Sequence, residues 1–387
     1  MTTAKRRLPR TVYALGLVSF FTDLSSEMIV PLLPAFLGSF GAGMVMLGLL
    51  QGISDFVVAG LKFASGWWSD RQRTRKPWLV FGYGLSALMR PMFALVTGPW
   101  QAVLVRTGDR VGKGLRSAPR DALLADSVDA TQRGAAYGVQ RAMDHAGAVG
   151  GALLGAALLF GGCDLRTVFA LALLPGLVAV VVLVVGVRDK SRETAGPRPA
   201  DPPQALRRLA PFLVVVAVGT VASSVDLFLL ARAAALGMAP ALLPLLWAVL
   251  HLVRASLAQP LGALSDRLGR RLVIGAGLAA HAVVLLAFAV VEDPVWMWPL
   301  FAVHGLHAAF TEGAERGLVA DLTGAQKRGT VFGVYYMVQG LAALLGPLLL
   351  GLLWEEFGAR SAFLCAAAFA SAALLLLRAI VRPMARG

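Results

Sequence analysis

The chain has 387 residues, of which 57% are hydrophobic and only 15% charged, with a formal net charge of +14. Soluble domains run nearer 45–50% apolar and about 25% charged, so this composition excludes an ordinary soluble fold and points to a membrane protein. The positive charge by itself would suit nucleic acid, but its distribution along the chain, described below, does not.

Crossing the hydrocarbon takes roughly 20 apolar residues. Twelve such segments follow one another: 11–37, 44–67, 77–97, 100–124, 134–160, 166–187, 211–233, 239–264, 271–291, 296–320, 329–354 and 360–379. The expected fold is all-α, with twelve transmembrane helices in two pseudo-symmetric six-helix bundles. The basic start, "AKRRLPR", leads straight into the first span without a small-residue cleavage site, so it reads as a signal anchor. With the N-terminus taken as cytoplasmic, Lys and Arg crowd the loops on that side: Lys5 to Arg10, Arg71 to Lys76, Arg188 to Arg208, Arg267 to Arg271, Lys327 and Arg328. Only Arg166 and Arg360 fall on the other side. This is the positive-inside bias. It places both termini in the cytoplasm of a multi-pass protein of the inner membrane, and sets the basic loops against anionic membrane lipids rather than nucleic acid.

The first span, "FFTDLSSEMIVPLLPAFL", carries Asp23 and Glu27 on one helical face, four residues apart. Pro31 and Pro34 follow and should loosen its far end. The second span holds Asp55, a cavity candidate, and Lys62, which can snorkel to the interface. The third holds Arg90 before Pro91. The fourth is "VRTGDRVGKGLRSAPRDALLAD", in which Arg106, Asp109, Arg110 and Lys113 form a polar stripe at three- and four-residue steps. The fifth adds Arg141, Asp144 and His145. A charge at the centre of a spanning helix costs roughly 2.5–3.5 kcal/mol on insertion scales, so such residues persist where they pair or line water. Asp23, Glu27, Asp55, Arg110, Arg141, Asp144 and Asp226 are the candidates for proton coupling and for the cavity wall. Two carboxylates as close as Asp23 and Glu27 suit a proton carrier; pairing with Arg110 or Arg141 is the structural alternative. Arg106, Lys113, His145, Tyr335, Tyr336 and Gln339 are the candidates for substrate contact.

The longest polar stretch, "RDKSRETAGPRPADPPQALRR", is rich in proline and charge and reads as a cytoplasmic linker. It sets an N-terminal bundle over 1–187, a linker over 188–210 and a C-terminal bundle over 211–387. The halves repeat. "LLADSVDATQRGAAYGV" from Leu123 returns as "LVADLTGAQKRGTVFGV" from Leu318, 195 positions later. "GWWSDRQRTRK" from Gly66 returns as "GALSDRLGRR" from Gly262. Asp23 in "TDL" has its mate Asp226 in "VDL". Half-length repeats are a signature of transporter folds, whose site lies near the midplane.

On these residues the sequence resembles the major facilitator superfamily, along nearly the whole chain. The family's loop pattern Gly-x-x-x-Asp-Arg-x-Gly-Arg-Arg is complete in Gly262, Asp266, Arg267, Gly269, Arg270 and Arg271. The first copy keeps Gly66, Asp70 and Arg71, but has Arg73 for the inner glycine and a shifted basic pair, Arg75–Lys76. The resemblance implies a gate on the cytoplasmic side at Asp70, Arg71, Arg75, Asp266 and Arg267. Arg110-x-x-Lys113-Gly114 is similar to the fourth-span motif of drug–proton antiporters, with lysine for glutamine, which implies a coupling role for Arg110. Gly138, Gly147, Gly151 and Gly155 resemble the antiporters' fifth-span glycine motif, with Ala152 and Ala156 at its proline and last glycine. Small residues for packing explain the same pattern, between spans 5 and 8 or 11 and 2.

His304 and His307 lie three apart without a third ligand at metal-like spacing, and Cys163 and Cys365 are isolated, so no metal or disulfide is expected. Glu315–Arg316 inverts the order of Arg120–Asp121 one repeat earlier. No phosphate-binding glycine loop is present, nor a Ser–His–Asp set, a His-Glu-x-x-His helix or an appended soluble domain. The reading is a monomeric secondary transporter rather than an enzyme, moving a small organic molecule by alternating access. It needs no cofactor beyond a proton gradient. Antiport with efflux leads; proton-coupled uptake of an organic anion on the basic stripe is the alternative, and a non-transporting scaffold the distant one.

Overall fold

The computed structural model of the protein describes residues 8–69, 72, 74–129, 132–189, 203–323 and 328–380. Among them there are helices and turns but no strand. In chain order the long helices are α1 (Arg10–Gly38), α2 (Met44–Ser69), α3 (Lys76–Leu95), α4 (Pro99–Asp126), α5 (Arg133–Phe160), α6 (Leu165–Gly186), α7 (Arg207–Ala235), α8 (Pro240–Leu268), α9 (Arg270–Val290) and α10 (Met297–Thr323). A last helical stretch, Arg328–Ile380, is broken at Gly358 (φ 80°) into α11 (328–357) and α12 (359–380). At the α8–α9 corner Gly269 takes φ 96°, which only glycine adopts without strain. That conformation is why the loop pattern needs its inner glycine here.

Nine segments among the described residues are long and apolar enough to cross a membrane. The other spans expected from sequence are accounted for physically. Pro99–Asp126 and Met297–Thr323 have the length, but the charges of the first and the histidines and acids of the second keep them below the hydropathy of the other nine. The segment Val331–Ala379 is long enough for two crossings. Leu95, Leu104, Val185 and Phe357 are each at least 70% exposed. An apolar surface of this kind belongs in lipid, not water.

Contacts gather the chain into two compact units. The first holds the described residues up to Val30, Leu61 to Val96, and Leu104 onward through α6. The second holds Pro31–Gly60, Thr97–Val103 and everything described from Pro203 on. In the first unit α5 lies directly on α1. A Cβ on Gly147 would strike the carbonyl of Phe20, and one on Gly151 the carbonyl of Leu24. Gly147, Gly151 and Gly155 of the fifth-span pattern therefore serve the α5–α1 contact, while Gly138 faces open space. Gly82 and Gly112 do the same for α3 and α4, each backing on to the other's carbonyl. In the second unit Gly48 meets the carbonyl of Pro347, Gly52 that of Leu344, and Gly351 that of Met44, so small residues seat α2 against α11. This close approach is why Pro31–Gly60 groups with the later helices. Each unit has its own apolar core. Val12, Leu15, Leu79, Tyr83 and Leu183 are among the buried residues of one; Phe212, Val273, Leu278, Val331 and Leu377 are among those of the other.

Candidate functional site

In the first unit the fourth-span stripe closes on itself. Asp109 is 1% exposed and gathers three guanidinium groups. Arg90 Nε donates to Oδ1 at 3.0 Å, while Arg110 Nε and Arg106 Nη1 lie 3.4 and 3.6 Å from Oδ2. Arg90 also donates to the Thr22 carbonyl at 2.8 Å, tying α3 to α1. Arg116 donates to Ser86 Oγ and lies over the Tyr83 ring, 4.4 Å from its centroid, a cation–π contact. Arg106 and Arg110 are thus engaged within the protein. Among the described residues Asp23 has no ion pair within bonding distance; Asp144, Lys113, Glu27 and Arg116 are among the charges that act on it. Of the partners named from sequence, Arg110 is held by Asp109, and Arg141 is exposed. Lys113 is exposed, and Glu27 and His145 are partly buried. Lower on α4, Arg120 donates to Asp121 at 3.0 and 3.1 Å and lies 4.0 Å from Asp144. With its amide oxygen turned to the guanidinium, Gln140 accepts from Arg120 Nη2 at 2.8 Å.

The second unit has a cavity of about 250 Å³, lined from α7, α8, α9, α10 and α11. Its wall carries Asp226, Arg254, His304, His307, Glu312, Glu315, Arg316, Tyr335, Tyr336 and Gln339, beside Thr220, Ser223 and Thr311. The helical spacing of α10 puts His304, His307, Thr311 and Glu315 on one face. His304 Nε2 meets Asp226 Oδ1 at 2.8 Å, and Arg254 Nη2 lies 3.4 Å from Oδ2. Arg316 pairs with Glu312 at 3.3 Å. Glu315 accepts from the Tyr335 hydroxyl at 2.9 Å, and Gln339 Nε2 donates to the same hydroxyl at 2.8 Å. Glu315 makes no ion pair within bonding distance among the described residues. Of the residues singled out in the sequence, Asp226, Tyr335, Tyr336 and Gln339 line this cavity. Asp55 is partly buried and lies elsewhere in the same unit. Glu315, His304 and His307 on α10 and Arg254 on α8 also line the wall without having been selected; for the three on α10 the helical periodicity was the signal that could have found them.

The basic corners of the two units are built alike. Asp70 and Arg71, singled out as gate residues, lie outside the described residues. Arg75 is buried, pairs with Asp126 at the end of α4, and gives its backbone N–H to Asp189. Lys76 donates to the carbonyls of Val184 and Val187 on the end of α6, at 2.7 and 2.8 Å. One repeat on, Arg270 pairs with Asp321 at the end of α10 at 2.5 Å and with Asp266 at 3.2 Å. Arg271 donates to the carbonyls of Leu377 and Arg378 on α12. Arg75 and Arg270, Lys76 and Arg271, and Asp126 and Asp321 are each 195 positions apart. Arg267 is exposed. Among the described residues no three His, Cys, Asp or Glu side chains are set to hold a metal, and both cysteines are free.

Comparison with known proteins places this geometry. The sequence matches the Major Facilitator Superfamily over residues 15–256 and again over 209–386. An uncharacterised MFS-type transporter of Methanocaldococcus jannaschii is 32% identical over 365 residues, 90% of each chain. The multidrug resistance protein MdtH of Cronobacter sakazakii is 27% identical over 352 residues, 86% of this chain and 84% of that one. The fold also matches a bacterial homologue of the human lysosomal transporter Spinster, in its inward-facing unoccupied conformation, with TM-score 0.74 at 18% identity over 95% and 96% of the two chains. A POT family transporter in complex with 5-aminolevulinic acid gives TM-score 0.80 at 11% identity over 96% of each. The chain belongs to the Major Facilitator Superfamily of multi-pass membrane transporters.

Proposed function

We propose that this protein is a proton-coupled antiporter that exports a small organic molecule across the inner membrane, working as a monomer with both termini in the cytoplasm. Its repeats, 1–187 and 211–387 joined by the linker 188–210, act as the two rocking halves of an alternating-access cycle. The observation that carries the reading is the cavity of the second unit, where Glu315 faces open space with a phenol as its polar partner. A carboxylate at bilayer depth without a counter-ion has two stable ways to exist, protonated or neutralised by a bound cationic group. That is the property an exchanger of protons for organic molecules requires. The likeness to MdtH, a multidrug resistance protein by name, supports export.

Uptake of an organic anion draws on four cations of the first unit, Arg106, Arg110, Lys113 and Arg141. Arg106 and Arg110 are now accounted for by Asp109, which leaves Lys113 and Arg141 for that role and weakens it. Proteoliposomes test the two directions. With pH 6 inside and pH 8 outside, antiport accumulates external ethidium as protons leave. Symport instead accumulates its substrate only under the reversed gradient. Ethidium accumulation that ignores the sign of the gradient would overturn the coupled reading.

A further inference from the structure

Beside the cavity of the second unit, three imidazoles from two helices cluster, two of them stacked and the third tilted against them. The rings of His281 on α9 and His307 on α10 lie 4.0 Å apart at 15°. His304 lies 5.2 Å from His281 and 6.5 Å from His307. All three are buried, at 0%, 1% and 7% exposure for His281, His304 and His307. Their hydrogen bonds fix where each proton sits. His281 Nε2 meets the Ala222 carbonyl at 3.2 Å, and His307 Nδ1 meets the Gly277 carbonyl at 3.1 Å. A carbonyl oxygen only accepts, so both of these nitrogens carry hydrogen. His304 Nε2 meets the Asp226 carboxylate, an acceptor at neutral pH, at 2.8 Å. Each ring therefore keeps one nitrogen with a bare lone pair: Nδ1 of His281, Nδ1 of His304 and Nε2 of His307. The first two have no hydrogen-bond partner although fully enclosed.

Three bare imidazole nitrogens side by side are either a metal site or a proton site. Among the described residues no three such side chains are set to hold a metal ion. A second proton in the stack would set two imidazolium charges within 4.0 to 6.5 Å in a low-dielectric interior, which mutual repulsion forbids. Of the three rings, His304 alone sets a nitrogen against a carboxylate, the natural counter-charge for an imidazolium. We propose that His281, His304 and His307 form a one-proton acceptor site, seated on His304 and loaded from the cavity, which His304 and His307 line.

The surrounding charges fit this. From α7 comes Asp226; from α8, Arg254 and His251; from α10, Glu312, Glu315 and Arg316; from α11, Tyr335, Tyr336 and Gln339. α12 faces this region with apolar residues such as Ala373 and Leu377. Asp226 already shares its charge between His304 at 2.8 Å and Arg254 at 3.4 Å. An imidazolium at His304 takes the larger share and loosens Arg254, which also lines the cavity. The site thus converts proton binding into a movable guanidinium. It deepens the proton-coupled reading above, from a second residue set on the same cavity.

The test needs no substrate. The chain has five histidines, so ¹⁵N-histidine NMR of the protein in lipid nanodiscs resolves every ring. Between pH 8 and pH 5 a single imidazolium should form within the stack. His304→Gln should abolish it and leave His281 and His307 neutral, with the signals of His145 and His251 in place as evidence of folding. Should His304→Gln not fold, Asp226→Asn carries the test, with proton affinity in the stack lowered at least tenfold. A stack that stays neutral down to pH 4.5, or that takes two protons, overturns the proposal. If the imidazolium forms while flux ignores the pH gradient, the site stands and the coupling reading falls. If flux follows the gradient and no imidazolium forms, coupling belongs to another group and this site is refuted.

Discussion

The fourth helix and its repeat-mate, the tenth, occupy equivalent places 195 positions apart and use them in opposite ways. In α4, Asp109 binds Arg90, Arg106 and Arg110 into a filled strut with almost no exposed surface. In α10, His304, His307, Glu312 and Glu315 stand around open volume. The divergence can be followed at single positions. Arg120, Gln140 and Asp144 in the first unit become Glu315, Tyr335 and Gln339 in the second, each 195 positions on. The same two-helix junction holds a guanidinium clamped by an amide and near a carboxylate in one case, and a carboxylate held by a phenol in the other. A repeated backbone thus fixes where polar groups meet, and the side chains decide whether the meeting point is a brace or a working surface.

The sharpest way to break this comparison is to remove the brace. Asp109→Asn leaves three buried guanidinium groups around an uncharged amide, and losing one side of a buried ion pair costs about 3–5 kcal/mol. Thermal unfolding in detergent should show the largest loss of any single change discussed here. Gly151→Leu drives a side chain into the carbonyl of Leu24, and overpacking of this kind costs about 1–3 kcal/mol; the same melting experiment reads it. Glu315→Gln should do the reverse of Asp109→Asn. Its melting temperature should stay near that of the parent, while gradient-driven ethidium accumulation in proteoliposomes falls at least tenfold. A Glu315→Gln protein that melts early yet transports normally would make the tenth helix a brace as well. The basic corners give a finer contrast. Arg75 is 5% exposed and Arg270 about a quarter exposed at its side chain. Arg75→Ala should therefore destabilise more than Arg270→Ala, whose partly solvated pairs contribute on the order of 1 kcal/mol or less. The smallest effect is expected for Arg316→Gln, an exposed pair to Glu312 one helical turn away, at about 0.2–0.5 kcal/mol.

Much of this was legible beforehand, for identifiable reasons. The spans could be read because lipid demands long apolar runs. Even the two that fail a hydropathy window, Pro99–Asp126 and Met297–Thr323, are helices of spanning length. The loop glycine at position 269 could be read because only one residue type tolerates that backbone. The site was legible only in part. Tyr335, Tyr336, Gln339 and Asp226 do line a cavity, but Arg106 turns to Asp109 instead. Arg106, Arg110 and Lys113 share one stripe on paper, and helical spacing does not say which of them a neighbouring helix will claim. Arg90 on α3 settled that, through a contact 19 positions away.

The sequence alone, then, determined the apolar helices, their repeat at half-length and the basic loops between them. All are local or periodic properties, enforced by a solvent that leaves no backbone polar group unsatisfied. Which charges neutralise one another, that three histidines cluster, and that Glu315 meets a tyrosine rather than a cation were decided by the tertiary structure. Such pairings depend on contacts a few ångströms long between helices far apart in the chain, where one neighbouring side chain reverses the outcome.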